Sequence, residues 1–322
     1  MILSCALPPS PEAVDHIVEA ERLGYTRAWL YDSPALYGDV WMVAALAAVR
    51  TTRIGLGPAV LVPNLRHPLT QASAIATLEQ LAPGRTAVAI GTGFTGRMAM
   101  GRPPLSWALT QRYIEQVRAL LRGEAVEVDG ATVRMLHRPA FAPDRPLATP
   151  FVVAANGPKG LAVAAALGDG VMTIGGGEPG FPWCAALVFG TVLDDGEDPG
   201  SARALAAAGP AQVVMAHALW EMDPAAVDLL PGGSEWRAEI DALPEAERHL
   251  AVHEGHLVEV TERERGLLDS GQFAATTWTG TRAEIADRLA AAEAAGVTEV
   301  LYGPIGPDVP RELAAFAEAA GH

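Results

Sequence analysis

The feature that most constrains this chain is an alternation: short runs of apolar, β-favouring residues are separated by amphipathic stretches of helical length. Such an order specifies a parallel sheet covered by helices, because each helix must bury its apolar stripe against the strands it connects. The runs fall at 2–6, 27–31, 54–62, 86–90, 151–155, 171–174, 185–193 and 297–302. Helical stretches open at Pro11 and continue at 39–49, 68–81, 107–121, 160–167 and 309–320, and a turn signal at Asp129-Gly130 predicts a hairpin. Eight such strands predict an α/β fold, a (β/α)8 TIM barrel, with an open doubly wound sheet as the alternative architecture.

The alternation lapses once. The segment from about 199 to 270 is mostly helical and too long for one covering helix, and Pro224, Pro231-Gly232-Gly233 and Pro244 punctuate it. It reads as a helical insertion after strand seven. The barrel pattern then resumes with a capping box at Thr281 and Glu284, and Gly296 ends that helix. With 322 residues, half of them apolar, the chain supports a single barrel domain over 1–322.

Charge and cysteine content exclude several classes. The net charge is −15 and no Lys/Arg run appears, so a phosphate backbone is not an expected partner. No secretory signal is expected at the N-terminus and no apolar run reaches membrane-spanning length, so a cytoplasmic location is expected. Cys5 and Cys184 are two thiols far apart in sequence, read as small buried apolar residues. Of the 23 basic side chains only Lys159 is a lysine.

Barrel enzymes carry their chemistry on the loops that follow the strands. Here strand four runs into Gly91-Thr92-Gly93-Phe94, strand five into Ala155-Asn156-Gly157-Pro158-Lys159, and strand six into Gly175-Gly176-Gly177. Glycines let backbone N–H groups approach an anion, a helix N-terminus adds a favourable dipole, and Lys159 adds a point charge. Three adjacent rims of this kind predict a phosphate cradle, against the plainer reading of tight turns. Gly57-Pro58-Ala59-Val60 predicts a bulged, re-aimed end to strand three.

These residues resemble the luciferase-like superfamily. The resemblance is carried by Glu21 through Asp32 at the second strand and by Thr52 through Pro63 at the third. It continues in Arg66-His67-Pro68 and Ala76-Thr77-Leu78-Glu79. Within that superfamily the chain is most similar to the coenzyme F420-dependent branch that includes methylenetetrahydromethanopterin reductase. The resemblance is dense from about 11 to 177, returns over 279–301, and does not cover the insertion. It implies a non-prolyl cis peptide at Ala59-Val60 behind a deazaflavin ring and phosphate contacts at Gly91, Thr92, Gly93, Ala155, Asn156, Gly157 and the strand-six glycines. It also implies a homodimer and hydride transfer between the deazaflavin C5 and a small organic substrate, with reduction of a C=C or C=N bond favoured. The alternatives are an FMN-dependent two-component monooxygenase and a non-catalytic flavin-binding barrel.

Two departures bear on chemistry. Where several F420-dependent relatives carry Asp-His, this chain has Asp32-Ser33, and Phe94 stands where a glucose-6-phosphate dehydrogenase branch has a carboxylate. Asp32 and Ser33 are therefore the candidate catalytic groups, with Asp32 also expected at the cofactor, and their competing reading is a turn with a helix cap. His253-Glu-Gly-His256 lacks metalloprotease spacing and shows no third ligand, so no metal site is expected and a zinc hydrolase is a distant reading. His67 reads as a loop-fixing residue. Trp41, Trp107, Trp183, Trp220 and Trp278 read as packing, with Trp183 a candidate wall for a ring-binding pocket.

Overall fold

A computed structural model describes all residues from Met1 to His322. Its centre is an eight-stranded parallel sheet of β1 (Ile2–Leu7), β2 (Arg27–Leu30), β3 (Gly55–Pro58), β4 (Val88–Ile90), β5 (Phe151–Ala154), β6 (Gly170–Ile174), β7 (Cys184–Phe189) and β8 (Glu299–Gly303). The strand order β3-β2-β1-β8-β7-β6-β5-β4 is closed by parallel bridges Leu56–Thr86 and Leu61–Ile90. The result is the expected (β/α)8 barrel, not an open sheet. Between those two bridges the third strand advances five residues and the fourth only four, which is the predicted bulge. Gly57 makes the closure possible, since a Cβ there would lie 1.7 Å from the Ala87 carbonyl oxygen.

Helices form where pattern and caps agree. Trp107–Arg122 begins at Ser106, whose hydroxyl accepts from the Leu109 N–H, and ends at Gly123 in the left-handed region. Pro68–Leu81 begins at His67, whose Nδ1 accepts from the Leu69 N–H, so His67 fixes a loop as expected. The hairpin Val126–Val128/Ala131–Val133 turns on Asp129 and Gly130, both at positive φ. No helix of the structure is long and apolar enough to cross a membrane.

The barrel lumen is filled by small residues around one large ring: Ala6, Ala59, Ala87, Ala89 and Ala185 pack with Trp29, Val152, Met172 and Leu301. At the N-terminal end of the strands lies a polar plug. Glu299, fully buried, accepts from Trp29 Nε1 at 3.0 Å and Trp183 Nε1 at 2.6 Å. The Arg27 guanidinium stands 5.3 Å from the Trp29 ring and 5.0 Å from the Trp183 ring.

Two local expectations are corrected. The glycine loop after β4 contains a short helix, Phe94–Met98, entered through Gly93 at positive φ. The seventh strand ends at Phe189, because Gly190 turns the chain where a Cβ would lie 2.3 Å from Trp278 backbone; Val192–Leu193 then pairs with Gly280–Thr281 in a separate two-stranded sheet. No helix joins β6 to β7, so the chain returns directly along the outside of the barrel.

The insertion is helical as expected. It contains Ala202–Met222, Gly233–Asp241, Arg248–Val252 and Phe273–Thr276 with intervening tight turns. It owns a small core of Val213, Ala216, Val227, Trp236, Ile240, Val252 and Leu267. It also reaches the barrel: the Tyr37 hydroxyl, in the loop after β2, donates to the His256 carbonyl at 2.7 Å. A concavity of ≈ 510 Å³ separates Ala35, Leu36 and Ala99 on the barrel side from Leu250, Ala251 and His253 on the insertion.

Candidate cofactor site at the strand ends

The C-terminal ends of β3 to β6 form one continuous rim. After Pro58 the backbone detours through a cis Ala59-Val60 peptide, the conformation implied by the resemblance. The Leu61 N–H then recovers the Ala89 carbonyl of the neighbouring strand at 2.7 Å. Gly91 fits beneath this detour, since a Cβ on it would contact Val60 Cγ2 at 3.3 Å and Ala154 Cβ at 3.4 Å. Tyr31, Val60, Ala154 and Leu187 are half-buried and cap the lumen, giving an apolar floor.

Beside the floor is a polar edge. Asn156 Oδ1 accepts from the Ile174 N–H at 3.2 Å, joining the ends of β5 and β6, while its amide N–H groups have no partner in the protein. Helix Pro158–Leu167 starts at Gly157 without a side-chain cap. The first-turn N–H groups of Lys159 and Gly160 have no acceptor within the chain, and Lys159 is exposed and forms no ion pair. Added Cβ atoms at Gly157, Gly175 and Gly176 would meet nothing within 4 Å. Free donors, a helix dipole and open backbone meet in one place, which is what an anionic group requires. Ile174, at the tip of β6, is 72% exposed beside it, an unusual position for a large aliphatic residue of a barrel strand.

Not every expected residue belongs to this rim. Gly177 has left it: a Cβ there would lie 2.2 Å from the Ala295 carbonyl oxygen, at the end of helix Arg282–Ala294, so packing explains its lack of a side chain. Thr92 and Gly93 stay at the end of β4, where Gly93 is pressed against Val62. Trp183 lies at the opposite end of the barrel, on Glu299 and Arg27, and does not wall a pocket here. Trp183 directly precedes Cys184, the first residue of β7, and so stands at the N-terminal end of that strand.

Asp32 is buried, and both its carboxylate oxygens accept from Arg66 Nη1, at 2.8 and 2.9 Å; Arg66 Nη2 reaches Asp39, the N-cap of helix Val40–Arg50. Burial holds the Asp32 carboxyl above its ordinary range against the pull of Arg66. This pair ties the loops after β2 and β3 together. Ser33 is also buried; its hydroxyl has no hydrogen bond within the protein and faces Gly96, where a Cβ would lie 3.3 Å from Oγ. Sequence reasoning missed Tyr31, Ile174 and Leu187 as rim residues; their signal is only that each lies at or near the end of a strand.

His253 and His256 are buried, and they meet His217 of helix Ala202–Met222. The third imidazole absent from the local motif is thus supplied from far along the chain.

A parallel (β/α)8 barrel with an apolar floor and unpaired backbone donors at its C-terminal rim is an architecture that many cofactor-dependent enzymes use. The luciferase-like monooxygenase family model matches residues 6–299, and the chain belongs to that family. It is 32% identical over 159 residues to a 5,10-methylenetetrahydromethanopterin reductase from Archaeoglobus fulgidus, covering 48% of this chain and 46% of that protein. It is 37% identical over 147 residues to an F420-dependent glucose-6-phosphate dehydrogenase from Beutenbergia cavernae, covering 42% and 41%. The chain therefore matches about half the length of these curated relatives. Among solved structures, the coenzyme F420-dependent tetrahydromethanopterin reductase from Methanopyrus kandleri superposes with a TM-score of 0.69 at 23% identity, over 99% of this chain and 97% of that one, a likeness of fold.

Proposed function

We propose that this chain is a coenzyme F420-dependent oxidoreductase acting on a small organic substrate. The observation that carries the reading is the rim itself: open backbone at Gly157, Gly175 and Gly176 beside unpaired donors of Lys159, Gly160 and Asn156, next to an apolar floor. The names of the curated relatives support F420 over FMN. Gly157, Lys159 and Asn156 would hold the phosphate, and Val60, with Gly91 and Ala154 around it, would support the ring. A bound deazaflavin supplies a carbon that gives or takes hydride. The protein's part is to orient the ring, exclude water with the insertion above the rim, and hold a proton source.

For that proton, Ser33 fits better than Asp32, since the Asp32 carboxylate is engaged with Arg66 while the Ser33 hydroxyl is unpaired. Phe94, 40% exposed where a glucose-6-phosphate dehydrogenase branch has a carboxylate, disfavours sugar-phosphate oxidation and fits reduction of a C=C or C=N bond in an apolar substrate. A homodimer is part of the proposal, supported by the exposed apolar stripe Met42, Leu46 and Val49.

The test is a titration of the purified protein with F420 and separately with FMN, read by ring fluorescence. Saturable binding of F420 tighter than that of FMN is expected. Binding of FMN alone would replace the proposal with a flavin monooxygenase, and binding of neither would end it.

A further inference from the structure

The insertion encloses a group of side chains for which the cofactor rim has no use. One ring nitrogen from each of His217, His253 and His256 lies within 4.8 Å of the other two. All three residues are buried, with exposures of 1%, 2% and 6%. The ring centroids stand 5.2 to 5.8 Å apart. Three imidazoles rarely cluster in a core by chance, because each brings two polar nitrogens that must be satisfied.

The hydrogen bonds determine which nitrogens remain available. Glu264 Oε1 accepts from His217 Nε2 at 2.6 Å, and Glu221 Oε1 accepts from His253 Nε2 at 3.1 Å. Each carboxylate fixes the proton on Nε2 and leaves Nδ1 with its lone pair. Glu264 is itself immobilised, because its other oxygen accepts from the Thr261 N–H and hydroxyl, both at 2.8 Å. His217 Nδ1 then faces His256 Nδ1 at 3.0 Å, and His253 Nδ1 is buried with no partner at all.

We propose that His217, His253 and His256 bind a divalent transition metal of the zinc class, with Glu264 and Glu221 orienting two of the ligands. Carboxylate-to-histidine hydrogen bonds are the usual outer support of such sites. Nitrogens bound at about 2.0–2.1 Å to a tetrahedral ion lie roughly 3.3–3.4 Å apart, close to the separation already present between His217 and His256. Three imidazoles leave a fourth position for water. The ion joins helix Ala202–Met222 to the turn at His253–His256, whose backbone also accepts from Tyr37 on the barrel. It is a clasp within the roof over the rim, separate from the residues proposed to hold the cofactor.

The test uses the full chain. Protein purified without chelator is assayed for metal by mass spectrometry, then stripped and titrated with Zn²⁺ against a chromophoric chelator, with Co²⁺ as a spectroscopic substitute. The expected result is one tightly bound zinc per chain, a rise in Tm on adding Zn²⁺, and the ligand-field absorption of four-coordinate Co²⁺. His253→Gln should weaken zinc binding by more than about 100-fold and Glu264→Gln by about 10–100-fold, whereas His249→Gln, outside the cluster, should leave it unchanged. Because a ligand variant could misfold, the stripped wild-type chain decides the matter. If it remains folded by circular dichroism and takes up no zinc in competition with the chelator, the site does not exist. Zinc retained by His217→Gln and His253→Gln would likewise overturn the assignment.

Discussion

The two ends of the barrel solve opposite problems. At the N-terminal end, the buried charges are matched inside the chain: Glu299 takes two indole N–H groups, and Arg27, 3.9 Å from Glu299, lies against both tryptophans. At the C-terminal end, donors on Lys159, Gly160 and Asn156 are left without protein acceptors, glycines leave the backbone bare, and Ile174 is exposed. A closed network contributes to stability and has nothing left to offer a ligand. An open one contributes little to stability and is available for binding. The difference separates residues engaged in holding the fold from residues whose polar groups remain open, without reference to any relative.

Substitutions that exchange the expected behaviour of the two ends would break this contrast. The largest effect is expected from Glu299→Ala, which strands two indole donors and a buried guanidinium; breaking such a network costs about 3–5 kcal/mol. Urea denaturation measures it, and cofactor affinity in the surviving folded fraction should be unchanged. A loss under ~1 kcal/mol would show that the plug is not a clamp.

Asp32→Asn should also behave as a structural change. It removes the charge opposite Arg66 while keeping the shape, and a loss of about 2–3 kcal/mol is expected, with cofactor binding altered far less. A variant of full stability that has lost turnover would return Asp32 to the reaction.

Lys159→Ala tests the other end. It should weaken cofactor binding by about 1.5–3 kcal/mol, the value of a hydrogen bond to a charged group, while stability stays within ~0.5 kcal/mol. Unchanged affinity would remove Lys159 from the cradle.

The smallest effect sharpens the boundary between barrel and insertion. Arg203 holds the Glu197 carboxyl down to about 2, below its ordinary 4.5. A carboxylate with a depressed native value adds stability above its unfolded value and loses it as pH falls toward the native one. The difference in Tm between the wild type and Glu197→Gln should therefore shrink from pH 5 downward. At neutral pH it should correspond to about 1 kcal/mol, the upper value for an ion pair at the protein surface. A difference that persists at pH 2 would assign the effect to packing.

The barrel strands, their covering helices, the hairpin at Asp129-Gly130 and the insertion were legible because each depends on local periodicity and turn chemistry. So was the strand-three bulge, where glycine and proline interrupt an apolar run. Gly157, Gly175 and Gly176 present open backbone at the rim whereas Gly177 packs against a helix end, a distinction the sequence could not make because identical glycines can serve either. Trp183 was offered as a wall of a ring pocket, but it immediately precedes β7 and so stands at the N-terminal end of that strand, on Glu299 and Arg27. Asp32 looked free because Arg66, 34 positions away, became its partner only when the loops after β2 and β3 came together.

The sequence by itself determined the alternation, hence the closed parallel barrel, and the family-like motifs on its strand ends. These follow from apolar spacing and backbone freedom, properties that neighbouring residues carry among themselves. Only the tertiary structure decided which polar groups are spent and which are free. It paired Asp32 with Arg66, sank Glu299 between two tryptophans, and brought His217 to His253 and His256. A hydrogen bond or a ligand cluster depends on distances across the fold, and no local pattern specifies them.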